Sequence, residues 1–114
     1  MNKLTENFNW SSLFDLDWGQ ITPDGYNEEL NQVLHVFNFD MSSKENLKRI
    51  LSYITGRIIW MSYNAPLGSS HRVVLDIRGQ PFALLDRAKK IKNSIIEQLQ
   101  LRDFTAEINI EILI

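Results

Sequence analysis

The chain contains no cysteine, which removes disulfides, thiolate metal sites and thiol nucleophiles at once and suits a reducing compartment. It also has no apolar run approaching the roughly 20 residues of a membrane span, and its opening Met-Asn-Lys-Leu-Thr-Glu-Asn-Phe-Asn-Trp lacks the apolar core of an export signal. These absences make the cytoplasm the expected setting, with no membrane partner, and leave the sequon Asn9-Trp10-Ser11 to chance. Only two histidines are present, His35 and His71, in no metal-ligand spacing, so no zinc site and no other metal is expected. A glycine-rich phosphate loop is missing too, and nothing in the residues points to a cofactor. Positive charge is in short supply: the net charge is -2 and the pI about 5.6, whereas a general nucleic-acid binder needs a basic surplus for its phosphate contacts.

What is present is enough for one real core. At 114 residues and 44% hydrophobic, the chain reads as a single α/β domain, with an irregular aromatic arm over residues 1–30 and a βαβαβ core over 31–114. Val33 to Asp40 places Val33, His35, Phe37 and Phe39 on one face and reads as a strand. Ser42-Ser43-Lys44-Glu45 has the Ser-x-x-Glu spacing of a capping box, predicting a helix start. The stripe Leu47, Ile50, Leu51, Ile54, Ile58 and Met61 carries that helix onward, with Gly56 costing it roughly 1 kcal/mol. Val73 to Ile77 is apolar at nearly every position, as a strand covered on both faces should be. Pro81 suits the opening turn of a second helix with the stripe Leu84, Leu85, Ala88, Ile91, Ile95 and Leu99. Ile108, Ile110, Ile112 and Ile114 alternate with polar residues in a closing strand with one wet face or an edge position. Right-handed crossovers then predict a three-stranded, mainly parallel sheet. Two helices on one face would leave the other to be roofed by Phe8, Trp10, Phe14 and Trp18.

The candidate sites are few, and no catalytic residue stands out. Asp76 and Arg78 share a face near the C-terminal end of the central strand, where parallel sheets place ligands; the competing reading is a structural ion pair. The backbone N–H groups following Gly79-Gln80-Pro81 open a helix and offer an anion site, although Pro81 removes one donor. Ser69, Ser70, His71 and Asp76 invite a nucleophile reading, but a triad is defined by geometry and not by proximity in sequence. Charge is uneven: residues 1–40 hold one lysine against seven acids, while Arg87, Lys89, Lys90 and Lys92 cluster later. Acids mixed with aromatics at Trp10, Phe14, Asp15, Asp17 and Trp18 form a candidate surface for a protein partner, against the reading that these aromatics are core contacts. Trp60 and Tyr63, at the end of the first helix, are either core closure or a binding spot.

The string Arg72-Val-Val-Leu-Asp-Ile-Arg-Gly-Gln80, followed by Glu107-Ile-Asn-Ile-Glu-Ile-Leu113, resembles the closing segment of bacterial contact-dependent inhibition and other polymorphic toxin domains. The resemblance covers about the last third of the chain. Members of those families are often nucleases acting on tRNA or DNA, neutralised by a small acidic immunity protein. No carboxylate-plus-lysine core maps onto residues 1–70, so the resemblance transfers no catalytic residue, and the acidic balance fits the immunity side at least as well as the toxin side. The resulting expectation is a protein that binds another protein, as an inhibitor or accessory factor in toxin immunity or phage defence. The alternatives are a nuclease-type toxin domain and a subunit that pairs its terminal strand with a neighbour's sheet edge.

Overall fold

A computed structural model describes residues 16–19 and 21–114. The strands are β1 (Gly25–Asn27), β2 (Gln32–Phe37), β3 (Ser70–Asp76) and β4 (Ile108–Leu113), and the helices are α1 (Leu47–Asn64) and α2 (Leu85–Leu101). Each helix is entered through a 3-10 turn, at Lys44–Asn46 and Phe82–Leu84.

The sheet has four strands in the order β1-β2-β3-β4, with β1 antiparallel to β2 and the other pairs parallel. The β2-α1-β3-α2-β4 unit is therefore the expected βαβαβ core, but the three-stranded sheet is corrected to a mixed four-stranded one. The added strand is only three residues long, too short for an alternation to register. It is fastened by the Asp24 carboxylate, which accepts a hydrogen bond from the Val36 N–H at 2.7 Å, just beyond the paired residues.

Strand alternation sorts the side chains between the two faces. On one face Phe37, Val73, Leu75 and Ile110 meet Ile50, Ile54 and Ile58 of α1 and Ala88, Ile91, Ile95 and Leu99 of α2. Each fully buried aliphatic in this layer contributes about 1.5–3 kcal/mol, so the two helical stripes carry most of the core. Leu34 and Val74 form a separate cluster on the opposite face, with Val36 and Leu113 packed against them. β4 lies at a sheet edge.

Two local expectations are revised. The capping box does not form: neither Ser43 nor Asn46 caps through its side chain, and the Ser42 N–H donates to the Asp40 carboxylate at 2.9 Å. That Asp competes successfully because its short side chain closes a two-residue turn on its own backbone. Trp18 is 4% exposed and packs edge-on against Tyr26, in a cluster with Val33 and Met61. It belongs to the core at the β1 edge and is not presented to a partner. Trp10, Phe14 and Asp15, with Phe8, lie outside the described residues. Among the described residues, no helix is long and apolar enough to cross a membrane.

Candidate functional site

The strand-end group is built as a fastening. Asp76 is 6% exposed, and Arg78 grips it with two guanidinium hydrogen bonds, Nε to Oδ1 at 3.0 Å and Nη2 to Oδ2 at 2.8 Å. The Arg78 backbone N–H adds a third, to Oδ1 at 3.1 Å. The arginine's hydrogen bonds hold the Asp76 carboxyl below the ordinary carboxylate range, against the opposing effect of burial. Gln80 is equally committed: its amide donates to the Phe39 carbonyl and accepts from the Met41 N–H, tying the turn after β3 to the loop after β2. The expected anion site is corrected at the same place. The Gln80 N–H is spent on the Ile77 carbonyl and the Leu84 N–H on the Pro81 carbonyl, which takes Leu84 out of the donor set at the helix start. Asp17 is exposed and accepts from the Gly19 N–H at 2.9 Å.

The opposite end of the sheet carries an open cleft of about 570 Å³. Its walls are the end of α1 (Ser62, Tyr63), the following loop (Ala65 to Ser69), His71 of β3, and the Thr105-Ala106-Glu107 approach to β4. Asn31 holds two of the loops together. It sits at φ 48°, in the left-handed region that asparagine tolerates. From there its side-chain amide donates to the Leu67 carbonyl, its carboxamide oxygen accepts from the Tyr26 hydroxyl, and its backbone carbonyl accepts from the Ser70 N–H.

His71 is more deeply buried than Ser69, the other buried polar residue described on this cleft. It is 1% exposed, as is His35 on β2. His35 Nε2 and His71 Nδ1 are 2.9 Å apart, and Phe104 stands edge-on to the His71 ring. One nitrogen must donate and the other accept. His35 Nδ1 is buried without a partner, and a buried orphan N–H is rarer in proteins than an unfilled acceptor. That asymmetry assigns the proton to His35 Nε2, makes His71 Nδ1 the acceptor, and leaves His71 Nε2 as an N–H donor on the cleft side. Burial, with His71 and the Arg57 charge adding to it, holds His35 down to about 3, and burial holds His71 down to about 4. Both rings are therefore neutral near pH 7.

A neutral His71 whose Nδ1 is already filled offers a donor and no free base, while Glu107 is the one charged residue of the lining among the described residues. The Ser-His-Asp reading is excluded by geometry. His71 and Asp76 stand on opposite faces of β3, five residues or about 16 Å apart along the strand. Among the described residues, no group of three histidines or carboxylates is placed to hold a metal ion. Sequence reasoning missed the cleft because its walls come from segments more than 30 residues apart. The one available signal was that His35 and His71 both occupy inward positions of apolar alternations. No protein-family model matches the chain, and no curated protein or solved structure shows significant similarity to it.

Proposed function

We propose that the chain is a protein-binding domain that docks a partner over the cleft end of its sheet. The observation that carries this reading is the clustering of exposed apolar side chains there. Leu67 is fully exposed and Tyr63 is 82% exposed, and both border the cleft. Leu30, Trp60 and Leu101 lie toward the same end and are also exposed. Large apolar and aromatic groups left in water around a polar-floored depression are the composition of a docking surface: anchors, a recess to receive a partner's side chain, and polar groups to orient it. Trp60 and Tyr63 thus take the binding reading of the two that their sequence position left open, and the anchor role moves from the arm to the end of α1.

The net charge of -2 and the resemblance of the closing segment to polymorphic toxins favour a partner from bacterial conflict, with this chain as inhibitor or accessory factor. The nuclease alternative would draw on Asp76, whose two oxygens are both occupied by Arg78.

The test uses the 114-residue protein and a Tyr63→Ser/Leu67→Ser double variant as baits in lysate of the source organism. Both positions are exposed, so the two baits should melt alike. A stoichiometric protein held by the first bait and lost by the second supports the reading. Equal recovery on both baits, or none on either, defeats it.

A further inference from the structure

The outward side of the helix layer carries a second feature, which shares no residue with the anchors of the cleft end. A groove runs between α1 and α2 through two adjoining depressions of about 460 and 290 Å³, which share Lys48 and Leu51 in their walls. Its floor is apolar, from Leu47, Leu51 and Ile91. The first depression is rimmed by Lys44, Lys48, Arg87 and Lys90, and Arg102 stands at the far end. Among the described residues no carboxylate lines either depression, although the chain as a whole is acidic.

Two physical points separate this groove from an ordinary solvated helix face. Lys44 and Lys48 are four residues apart and Arg87 and Lys90 three, so like charges sit on neighbouring turns and across the groove from one another, an arrangement that mildly destabilises the folded state. Arg87 is also held in place, with Nη1 donating to the Met41 and Ser42 carbonyls, so part of the positive charge is pre-positioned. The second point concerns Thr55, which lines the deeper half and is 1% exposed with its hydroxyl unpartnered. A threonine hydroxyl in a helix normally returns to a carbonyl of the preceding turn; this one makes no such bond and lies beneath the groove surface.

We propose that the α1/α2 groove docks an acidic amphipathic helix from a protein partner, its apolar stripe on Leu47, Leu51 and Ile91 and its carboxylates on the flanking cations. Charge complementarity selects the sign of the partner, and the apolar floor selects an amphipathic body over a bare phosphate chain, for which stacking aromatics would be expected and none lines the groove. Length follows from helix geometry. Lys44 to Thr55 spans about 16 Å and Arg87 to Arg102 about 22 Å along their helices, room for a helix of about 11–15 residues. The inference goes beyond the cleft-end reading and stands or falls separately from it.

The probe is a fluorescein-labelled peptide of about 15 residues with leucines at helical i, i+4, i+7 and i+11 spacing, glutamates flanking them and alanines elsewhere, titrated with the full chain and followed by anisotropy. We expect saturable binding with a Kd of about 10–100 µM, weakened at least about tenfold by Lys48→Glu combined with Lys90→Glu. Binding should also weaken with added salt and disappear when lysines replace the glutamates or serines the leucines. Circular dichroism melts of the variant establish that it is folded, and the milder Lys48→Gln/Lys90→Gln pair, expected to fall between, replaces it if it is not. Absence of saturable binding, equal binding of the lysine or serine peptide, or no response to the substitutions overturns the proposal. Tighter competition by phosphatidylglycerol vesicles or a single-stranded oligonucleotide also overturns it, by showing a general anion face.

Discussion

His35 and His71 meet ring to ring between neighbouring strands, with Nε2 and Nδ1 2.9 Å apart and ring centroids at 5.2 Å. The strand register pairs His35 with Val73 and Val33 with His71, so the two imidazoles are diagonal neighbours on the helix-covered face. A hydrogen-bonded pair in that position satisfies only half of its polar capacity internally. The unfilled His35 Nδ1 is sealed in the core, while His71 also lines the cleft.

The first consequence is acid sensitivity. Burial holds the folded-state values of His35 and His71 at about 3 and about 4, below the ordinary histidine value near 6.5. As pH falls the unfolded chain takes up protons first, so stability is full above about pH 6.5 and is lost progressively as pH drops toward the folded values. Between about pH 6 and pH 5 the two rings should together remove on the order of 2–3 kcal/mol. Arg57 disfavours a charged His35 from the α1 side, and Glu107 shares the cleft with His71. The Asp76 carboxylate, held low by Arg78, has its contribution in place above the ordinary carboxylate range and loses it only at lower pH. Urea midpoints at about pH 7, 6 and 5 check this, and a flat series would contradict the buried neutral pair.

Gly56 lies inside α1, and a Cβ built there meets nothing within 4 Å. Gly56→Ala should therefore raise stability by about 1 kcal/mol through helix propensity and a less flexible unfolded chain, with no packing penalty. A thermal melt should move up by a few degrees, and a decrease would mean that the helix surface at this point is closed by something a methyl group displaces.

The position of Gly56 was legible from sequence, as was the helix around it, because Ile50, Ile54, Ile58 and Met61 repeat at helical spacing over about three turns. β3 announced itself through Val73, Val74 and Leu75, all of them fully buried. The failures are local. β1 has too few residues for a period, and Asp40 outcompeted Ser42 and Ser43 for control of the turn before α1. Trp18 was visible as an aromatic, but its place under Tyr26 depends on the β1-β2 pairing that was not foreseen. The cleft and the groove are products of topology. Ser62, His71 and Glu107 carry no motif between them, and neither do Lys48 and Lys90 until α1 and α2 are laid side by side.

Asp76 supplies a test that separates fastening from chemistry. Removing the carboxylate in Asp76→Ala deletes the gripped oxygens and leaves the Arg78 backbone N–H without its partner. Because the arginine is half exposed, solvent screening reduces the value of the pair, and the expected cost is about 1 kcal/mol. The variant should unfold at lower urea yet hold any partner of the cleft end with unchanged affinity. Loss of binding without loss of stability would return Asp76 to the site.

Leu34 and Val74 are fully buried, although they stand on the sheet face that neither helix covers. On that face Val36 and Leu113 pack beside them, and Arg72 pairs with Glu111 nearby. Side-chain neighbours on one sheet close gaps laterally but do not roof a flat layer, and each aliphatic returned to water costs about 1.5–3 kcal/mol. Of the expected roof of Phe8, Trp10, Phe14 and Trp18, Trp18 packs instead with Val33 and Met61 against α1, and the other three lie outside the described residues, which makes a direct prediction. Deleting residues 1–15 should lower the unfolding free energy by on the order of 3–6 kcal/mol if both positions become wet, and should increase binding of a hydrophobic dye to the folded protein. An unchanged urea midpoint would show that Val36, Leu113 and the Arg72–Glu111 pair close the face by themselves, and would free the acidic aromatic arm for contacts elsewhere.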